Sequence, residues 1–488
     1  MTFNKQKREQ RKSRYNRVFG EYPKMINKDL SIPEGKYYTP VCILTSDLVM
    51  RENIPELQTG LIKLLKRQYS HKFIGGQHSI DEILEDIENM DDTLVSCYNS
   101  IDVGRFDFER DNSMNEAISY FDVYIKNINS SYLSLEFHLY LADSFKKMQT
   151  GLINSNYVDD KGYIELGFMH NSKTSGGKRT FSVIHYNNAD LKSDLICENI
   201  TILKYRFYDK IQKYFPTLLH QKNSVPPSIN IYKTNILYTE STASDFWSSV
   251  GISSFRGQFI DKSRKLFFET GYSGSYKHSH RTDLVYIVNE ETIKKEGGFY
   301  SIDFQVVNEL AENFSTNVFK FALLDALNDL IAKECVKYKL KLNKIKLKKN
   351  RLSKLLKLRY HFEKDIDFYR RYVSDDIWEK AKMEIASVFE GKHLKRSYDY
   401  RILTESPIVS KDKILEQIGV LCVEFDDKTK ILQHLAVYKN ESKSRRTNFI
   451  MLLLSIVTVL FIVFPELSKD AADFLLNVWS SIRTYLKQ

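Results

Sequence analysis

Metal, phosphate and nucleophile chemistry each need particular residue types at spacings that bring them together, and this chain offers few such sets. His278 and His280 alternate as strand neighbours do, so their imidazoles would share one face and could hold a metal. No cysteine, histidine or carboxylate cluster is tied to them by spacing, and surface histidines of a hairpin are the alternative reading. The run SGGKRT at Ser175 to Thr180 has two glycines before a lysine, yet it lacks the GxxxxGK[ST] spacing that cradles phosphate, so it reads as a hairpin turn. Asp91-Asp92 and Asp375-Asp376 suit helix starts or turns, and neither GxSxG nor HExxH occurs. The expectation is a protein without catalytic residues or cofactor. Cys42, Cys97, Cys197, Cys335 and Cys422 are far apart and odd in number, which fits a reducing compartment.

The charge is local. The 488-residue chain carries a formal net charge of +10, but between Lys333 and Arg359 there are 12 Lys/Arg against Glu334 alone, and before Val18 there are 7 basic residues against Glu9. The rest is net acidic. One tail and one helical stretch are therefore expected to meet phosphates or anionic lipid. Within that stretch Cys335, Tyr338, Leu342, Ile345, Leu352 and Leu356 make an apolar stripe, with lysines over the rest. Lys337, Lys341, Lys344, Lys348 and Arg351 are the candidate anion- or ligand-binding residues, since like charges at i,i+4 repel unless something anionic offsets them. The partner would be a nucleotide, lipid headgroups, nucleic acid or acids elsewhere in the same assembly; a solvated basic face is the alternative.

Phe449 to Phe464 reads FIMLLLSIVTVLFIVF, uncharged, with only Ser455 and Thr458 polar. With its flanks it approaches the ~30 Å hydrocarbon thickness and is expected to be a transmembrane helix over 447–467; a buried helix of a large domain is the alternative. Lys439, Lys443, Arg445 and Arg446 precede it, which keeps the bulk of the chain cytoplasmic at the cell's inner membrane. The segment 471–488 is read as an interfacial helix or a short second crossing, so the protein would be single- or two-pass. Asn448, Ser455 and Thr458, at i, i+7 and i+10, share a face and are the pore-lining candidates; Ser and Thr hydroxyls bonded to their own helix are the alternative.

The elements that would position these groups follow from periodicity. Ser410 can cap a helix starting after Pro407, and Ile414, Ile418, Leu421, Phe425, Lys428, Leu432, Leu435 and Lys439 form a heptad seam, either a self-associating stalk (410–446) or a helix packed within its own chain. No Gly or Pro interrupts Phe304 to Tyr372, which predicts long helices within a 300–409 helical region. YIELGFMH and RTFSVIHY, INIYKTNILYT, and KLFFETGY with TDLVYIVN read as strands joined in hairpins, and Ile54–Tyr69, Asp81–Met90 and Thr201–Phe215 as helices. The fold class is α+β: a basic tail (1–36), then a mixed cytoplasmic domain (37–299) ending near Gly297-Gly298.

A soluble α+β domain, long antiparallel helices and a stalk helix entering the membrane resemble the CorA-type metal transporter superfamily. RRTNFIMLLLSIVTVLF followed by FPEL is similar to that family's first transmembrane helix, with Asn448 and Met451 near its cytoplasmic end. The Gly-Met-Asn signature that should follow is replaced by Val463, Phe464 and Pro465. The resemblance implies a homo-oligomer in the lipid bilayer, and family members lacking the signature include membrane effectors beside type III CRISPR systems that respond to a nucleotide messenger. The leading expectation is a cytoplasmic sensor domain controlling a membrane pore or membrane-disrupting element in antiviral defence. The alternatives are a divergent divalent-cation transporter, a tail-anchored non-enzymatic scaffold, or a nucleic-acid-binding protein.

Overall fold

The computed structural model describes residues 31–67, 80–90, 100–108, 113–156, 164–168, 181–185, 188–236, 257–261, 266–270, 283–290, 302–310, 315–348, 351–373, 377–390 and 401–463, with the single residues 477 and 480. It is a mixed α+β protein, as the sequence predicts. Two compact units are built from it: residues 1–334 with 366–416, and 335–365 with 417–488. The division falls inside long helices; Gly297-Gly298, the boundary expected from the sequence, lie outside the described residues.

Among the described residues, the first unit is organised by a nine-stranded sheet. Its strands are β1 (Tyr38–Met50), β2 (Ser100–Phe106), β3 (Ile118–Asn129), β4 (Tyr132–Leu141), β7 (Ser228–Thr234), β8 (Gly257–Asp261), β9 (Leu266–Thr270), β10 (Asp283–Asn289) and β11 (Phe389–Glu390), in the order β11-β8-β9-β10-β7-β1-β4-β3-β2. Only β7 and β10 run parallel; the other neighbours are antiparallel. A separate hairpin pairs β5 (Ile164–Phe168) with β6 (Phe181–His185), the two strands expected around SKTSGGK. β11 was not expected within the helical region; pairing Phe389 with Asp261 gives it a place in the sheet.

Strand β4 shows how the sheet is covered. Leu133, Leu135, Phe137, Leu139 and Leu141 alternate with Tyr132, Ser134, Glu136, His138 and Tyr140, and all ten are buried. The odd positions meet helices α1 (Ile54–Arg67), α2 (Ile80–Glu88), α3 (Asp143–Asn154) and α4 (Asn188–Ile211) in one apolar cluster. On α4 the contributors Ile196, Ile200, Leu203, Phe207 and Ile211 recur at steps of three and four, the stripe of an amphipathic helix. Phe137 sits among the edges of Phe207, Tyr208 and Phe215, with centroids 5.2, 5.8 and 5.3 Å away. The four-residue α5 (Leu218–Gln221) follows, held by buried Asp47, whose carboxylate accepts the backbone N–H groups of Leu48, Leu219 and His220.

Helices α6 (Ile302–Leu310), α7 (Thr316–Asn343), α8 (Leu352–Val373), α9 (Trp378–Val388) and α10 (Arg401–Val463) follow. The predicted long helices are present, but the basic stretch is two helices, not one: α7 ends at Asn343, so Lys344 and Lys348 lie in the connection and Arg351 just precedes α8. Contacts Asn328–Tyr369 and Lys320–Tyr372 within the first unit, and Tyr338–Asp365 within the second, run in antiparallel sense along α7 and α8.

α10 corrects the expected start at Ser410. The helix begins at Arg401 and passes through Pro407. Proline has no N–H to give to the Leu403 carbonyl one turn back; at Pro407 itself Asn328 Nδ2 donates to the carbonyl (2.9 Å) and Tyr369 Oη donates to Asn328 Oδ1 (2.6 Å), which ties α10 to α7 and α8 at this point.

Two glycines give opposite expectations. A Cβ on Gly60 of α1 would meet the Tyr214 carbonyl oxygen at 1.7 Å, so Gly60→Ala should destabilise the chain by ~2–3 kcal/mol. A Cβ on Gly419 of α10 would meet nothing within 4 Å, so Gly419→Ala should raise stability by ~0.5–1 kcal/mol. Thermal unfolding of both variants checks this pair, and a stable Gly60→Ala would contradict the packing of α1.

Candidate functional site

The sheet's second face is polar where its first is apolar. On β3 and β4 the even-numbered residues place Tyr120, Asp122, Tyr124 and Lys126 beside Glu136, His138 and Tyr140. Lys126 Nζ lies 2.7 Å from Glu136 Oε2, and His138 Nε2 donates to Glu136 Oε1 at 2.7 Å. Ser315, one residue before α7, donates to Glu136 Oε1 (3.1 Å) and accepts from Lys126 (2.9 Å). All four side chains are buried. Burial alone would push the Glu136 carboxyl up, but Lys126 and His138 outweigh it and hold the group down at about 2.

The same face grips the far end of α8. Tyr132 Oη donates to the Phe368 carbonyl (2.6 Å), and Asn129 Nδ2 donates to the Tyr372 carbonyl (3.4 Å). Farther along the face, Asp303 of α6 accepts from Lys146 (2.9 Å) and Lys233 (2.8 Å). Burial favours its neutral form, but those hydrogen bonds keep it below the ordinary carboxylate range. Arg105 pairs with Asp122 in a two-pronged contact (2.7 and 3.0 Å) and lies 3.9 Å from the centroid of Tyr120, which stacks on Tyr140. The side chains of this face thus hold three helical elements, α6, the start of α7 and the end of α8, against strands β3, β4 and β7 by hydrogen bonds and ion pairs.

In the second unit, α7 and α8 hold α10. Tyr338 packs at a tilt on Phe362, which stacks on Phe425, with centroids 5.2 and 5.5 Å apart, and Ile418, Leu421 and Leu432 are buried with them. The heptad seam is therefore occupied by the chain's own helices as far as Leu432, which removes it as a free stalk surface, whereas Leu435 is 39% exposed. Lys428, an oddity within an apolar seam, donates to the Leu342 carbonyl (2.6 Å) and so caps the last turn of α7. Arg359 pairs with Asp426, and Lys339 with Glu424 at 3.3 Å.

The predicted ligand and pore residues are all at the surface. Lys337, Lys341, Lys344, Lys348 and Arg351 are exposed, with the ammonium of Lys341 5.1 Å from the Tyr338 ring centroid. Asn448, Ser455 and Thr458 are exposed on α10; Ser455 and Thr458 donate to the Met451 and Leu454 carbonyls, both at 2.8 Å. His278 and His280 lie outside the described residues, as do Ser175 to Thr180. Among the described residues no group of three or more side chains could hold a metal ion, and Cys42, Cys197, Cys335 and Cys422 form no disulfide.

Among the described residues no helix is long and apolar enough to cross a membrane. Within them the apolar end of α10, Phe449–Val463, gives about 22 Å of helix against a hydrocarbon layer of ~30 Å. The transmembrane helix expected over 447–467 is accordingly not found as a full span; residues 464–467 lie outside the described set, as do all but Asn477 and Ser480 of 471–488 and most of the basic tail. No protein-family model matches the chain, and no curated protein matches it.

The buried quartet missed by the sequence reading has a pH signature. Because the Glu136 carboxyl is depressed to about 2 in the folded state, its contribution to stability is complete above its unfolded value of ~4.3 and is lost as pH falls through about 2. Glu136→Gln should leave Lys126 buried without its counter-charge, lower stability by ~3–5 kcal/mol at neutral pH, and flatten the dependence between pH ~4.5 and ~2. Denaturation midpoints of both proteins across that window provide the test; identical slopes would remove Glu136 from the network.

Proposed function

We propose that this chain is a membrane-anchored, CorA-like homo-oligomer whose sheet-bearing head bears on a helical element inserted in the inner membrane, with the head in the cytoplasm. The observation that carries the proposal is the end of α10. Phe449, Met451, Leu452, Leu454, Ile456 and Val459 project from every side of the helix and are each 47–61% exposed. Keeping six such side chains half in water costs on the order of 5–10 kcal/mol relative to covering them, and lipid covers all sides at once. Lys439, Lys443, Arg445 and Arg446 stand in the turns just before it, where anionic headgroups would meet them. α10 also reaches this segment without a break from Arg401, and the order of sheet-bearing head, antiparallel helices and long final helix is the order that the family resemblance implies.

Ser455 and Thr458 favour a second reading beside the pore. Hydroxyls bonded to their own helix carbonyls enter hydrocarbon at little cost, so the segment would serve equally as an anchor for a non-enzymatic scaffold. A nucleotide or other anionic messenger is the ligand class we propose for a responsive head.

The first experiment is flotation of the full chain on liposomes. The wild type should float, and Leu454→Arg with Val457→Arg, at ~2.5–3.5 kcal/mol per buried arginine, should not; recovery of the wild type in the soluble fraction would end the proposal. The second separates pore from anchor. Ser455→Leu with Thr458→Leu should keep flotation but abolish solute leakage from the liposomes if the polar face lines a pore, and leave the function intact if the segment only anchors.

A further inference from the structure

The cationic run that precedes and follows the α7–α8 connection is too far along the second unit to serve the membrane, and we infer that it binds single-stranded nucleic acid. Between Lys337 and Lys357 there is no acidic residue. Lys337, Lys341, Lys344, Lys346, Lys348 and Arg351 are all exposed, and Lys354 and Lys357 continue the series on α8. Acidic partners from the helix packed alongside reach Lys339, through Glu424, and Arg359, through Asp426.

Distance decides against lipid. Lys428 holds the Leu342 carbonyl, which fixes where α7 ends along α10. From Lys428 the helix rises about 31 Å before Phe449 is reached. The short connection after Asn343 recovers roughly 10 Å of that, which leaves about two Debye lengths between these lysines and a bilayer containing the end of α10. Headgroup attraction is screened out over that gap, whereas a strand of phosphates can lie directly on the cations.

An aromatic side chain supplies what a bare cationic patch lacks. Tyr360 is 63% exposed on α8 and stands three residues after Lys357 and four before Lys364, so both lysines flank it on one helix face. Exposed rings between cations that track a backbone are the arrangement on which unpaired bases stack, at ~1–3 kcal/mol per base. Its neighbour Arg359 pairs with Asp426, which places Tyr360 still farther from Phe449 than the connection is, so it does not serve as a membrane-interface tyrosine.

The proposal goes beyond the membrane reading and is tested apart from it. The full chain in mild non-ionic detergent is titrated into a labelled oligouridylate of about 12 nucleotides, followed by fluorescence anisotropy between about 50 and 200 mM salt. With about five phosphates contacted, affinity should fall about 100-fold over that range. Lys344→Gln with Lys348→Gln and Arg351→Gln, all exposed positions, should reduce the log–log salt slope by about 2, while Tyr360→Ala should weaken binding about tenfold with the slope unchanged. Absence of binding at the lowest salt, or a triple variant with the wild-type slope, overturns the inference. A triple variant that keeps the slope but no longer floats on vesicles with anionic phosphatidylserine would assign the surface to lipid and overturn it equally. Flotation of the triple variant on neutral vesicles reports on the apolar helix alone, so failure of the membrane reading would show there and not in the titration.

Discussion

A carboxylate without access to water must be matched by charge or hydrogen bonds, and Glu136 places that demand at the centre of the sheet. It stands on a strand buried on both faces, so nothing in solvent can answer it. Lys126 from the neighbouring strand supplies the charge, His138 from its own strand supplies a ring N–H, and Ser315 supplies a hydroxyl from the residue before α7. Removing one member leaves the others buried and unmatched, at a cost of several kcal/mol. The start of α7 is therefore bound to the sheet by electrostatics that tolerate little displacement, in contrast to the apolar layer on the other face, where Phe137 and its aromatic neighbours can repack with smaller loss.

The helices so gripped do not stop at the first unit. α7, α8 and α10 each begin in one compact unit and end in the other. Two polar contacts accompany them: the Tyr369–Asn328–Pro407 chain, and Lys428 on the Leu342 carbonyl in the last turn of α7. Both bond a side chain of one helix to a backbone carbonyl or side chain of another, which ties their axial positions more strictly than apolar contact does, because a hydrogen bond is lost within about an ångström of slippage.

Much of this was legible before the structure and some was not. The helices at Ile54 and Asp81, the hairpin around SKTSGGK and the strands KLFFETGY and TDLVYIVN were readable because their periodicity and flanking turns agree. The central strands β1, β3 and β4 passed unrecognised, although YLSLEFHLYL alternates strictly. Its even positions are polar and resemble a solvent face, and only the helices lying over them turn Glu136 and His138 into a buried network. The heptad seam was correctly periodic, but period does not name a partner: the same spacing serves a coiled coil with another chain and a groove between α7 and α8. The basic stretch read as one helix because lysine favours helix on either side of Asn343, and no glycine or proline marks the turn.

Why one short chain segment should carry cations, aromatics and an uncovered apolar helix is a question of length scales. Electrostatic attraction to a surface decays over about 10 Å in physiological salt, while an α-helix carries its side chains outward by 1.5 Å per residue. On the membrane reading proposed above, charges within the last two turns before Phe449, as Lys443, Arg445 and Arg446 are, would act on a bilayer, and charges held near Lys428 would not. The lysines of the α7–α8 connection and those next to the apolar segment would then answer to different partners despite their common sign. A single basic function spread over both would require α10 to lie flat on the bilayer, which would leave half of an all-round apolar helix in water. An upright helix would satisfy the apolar side chains and in doing so separate the two cationic zones, so the covering of Phe449 to Val459 would decide what the lysines of the connection can reach.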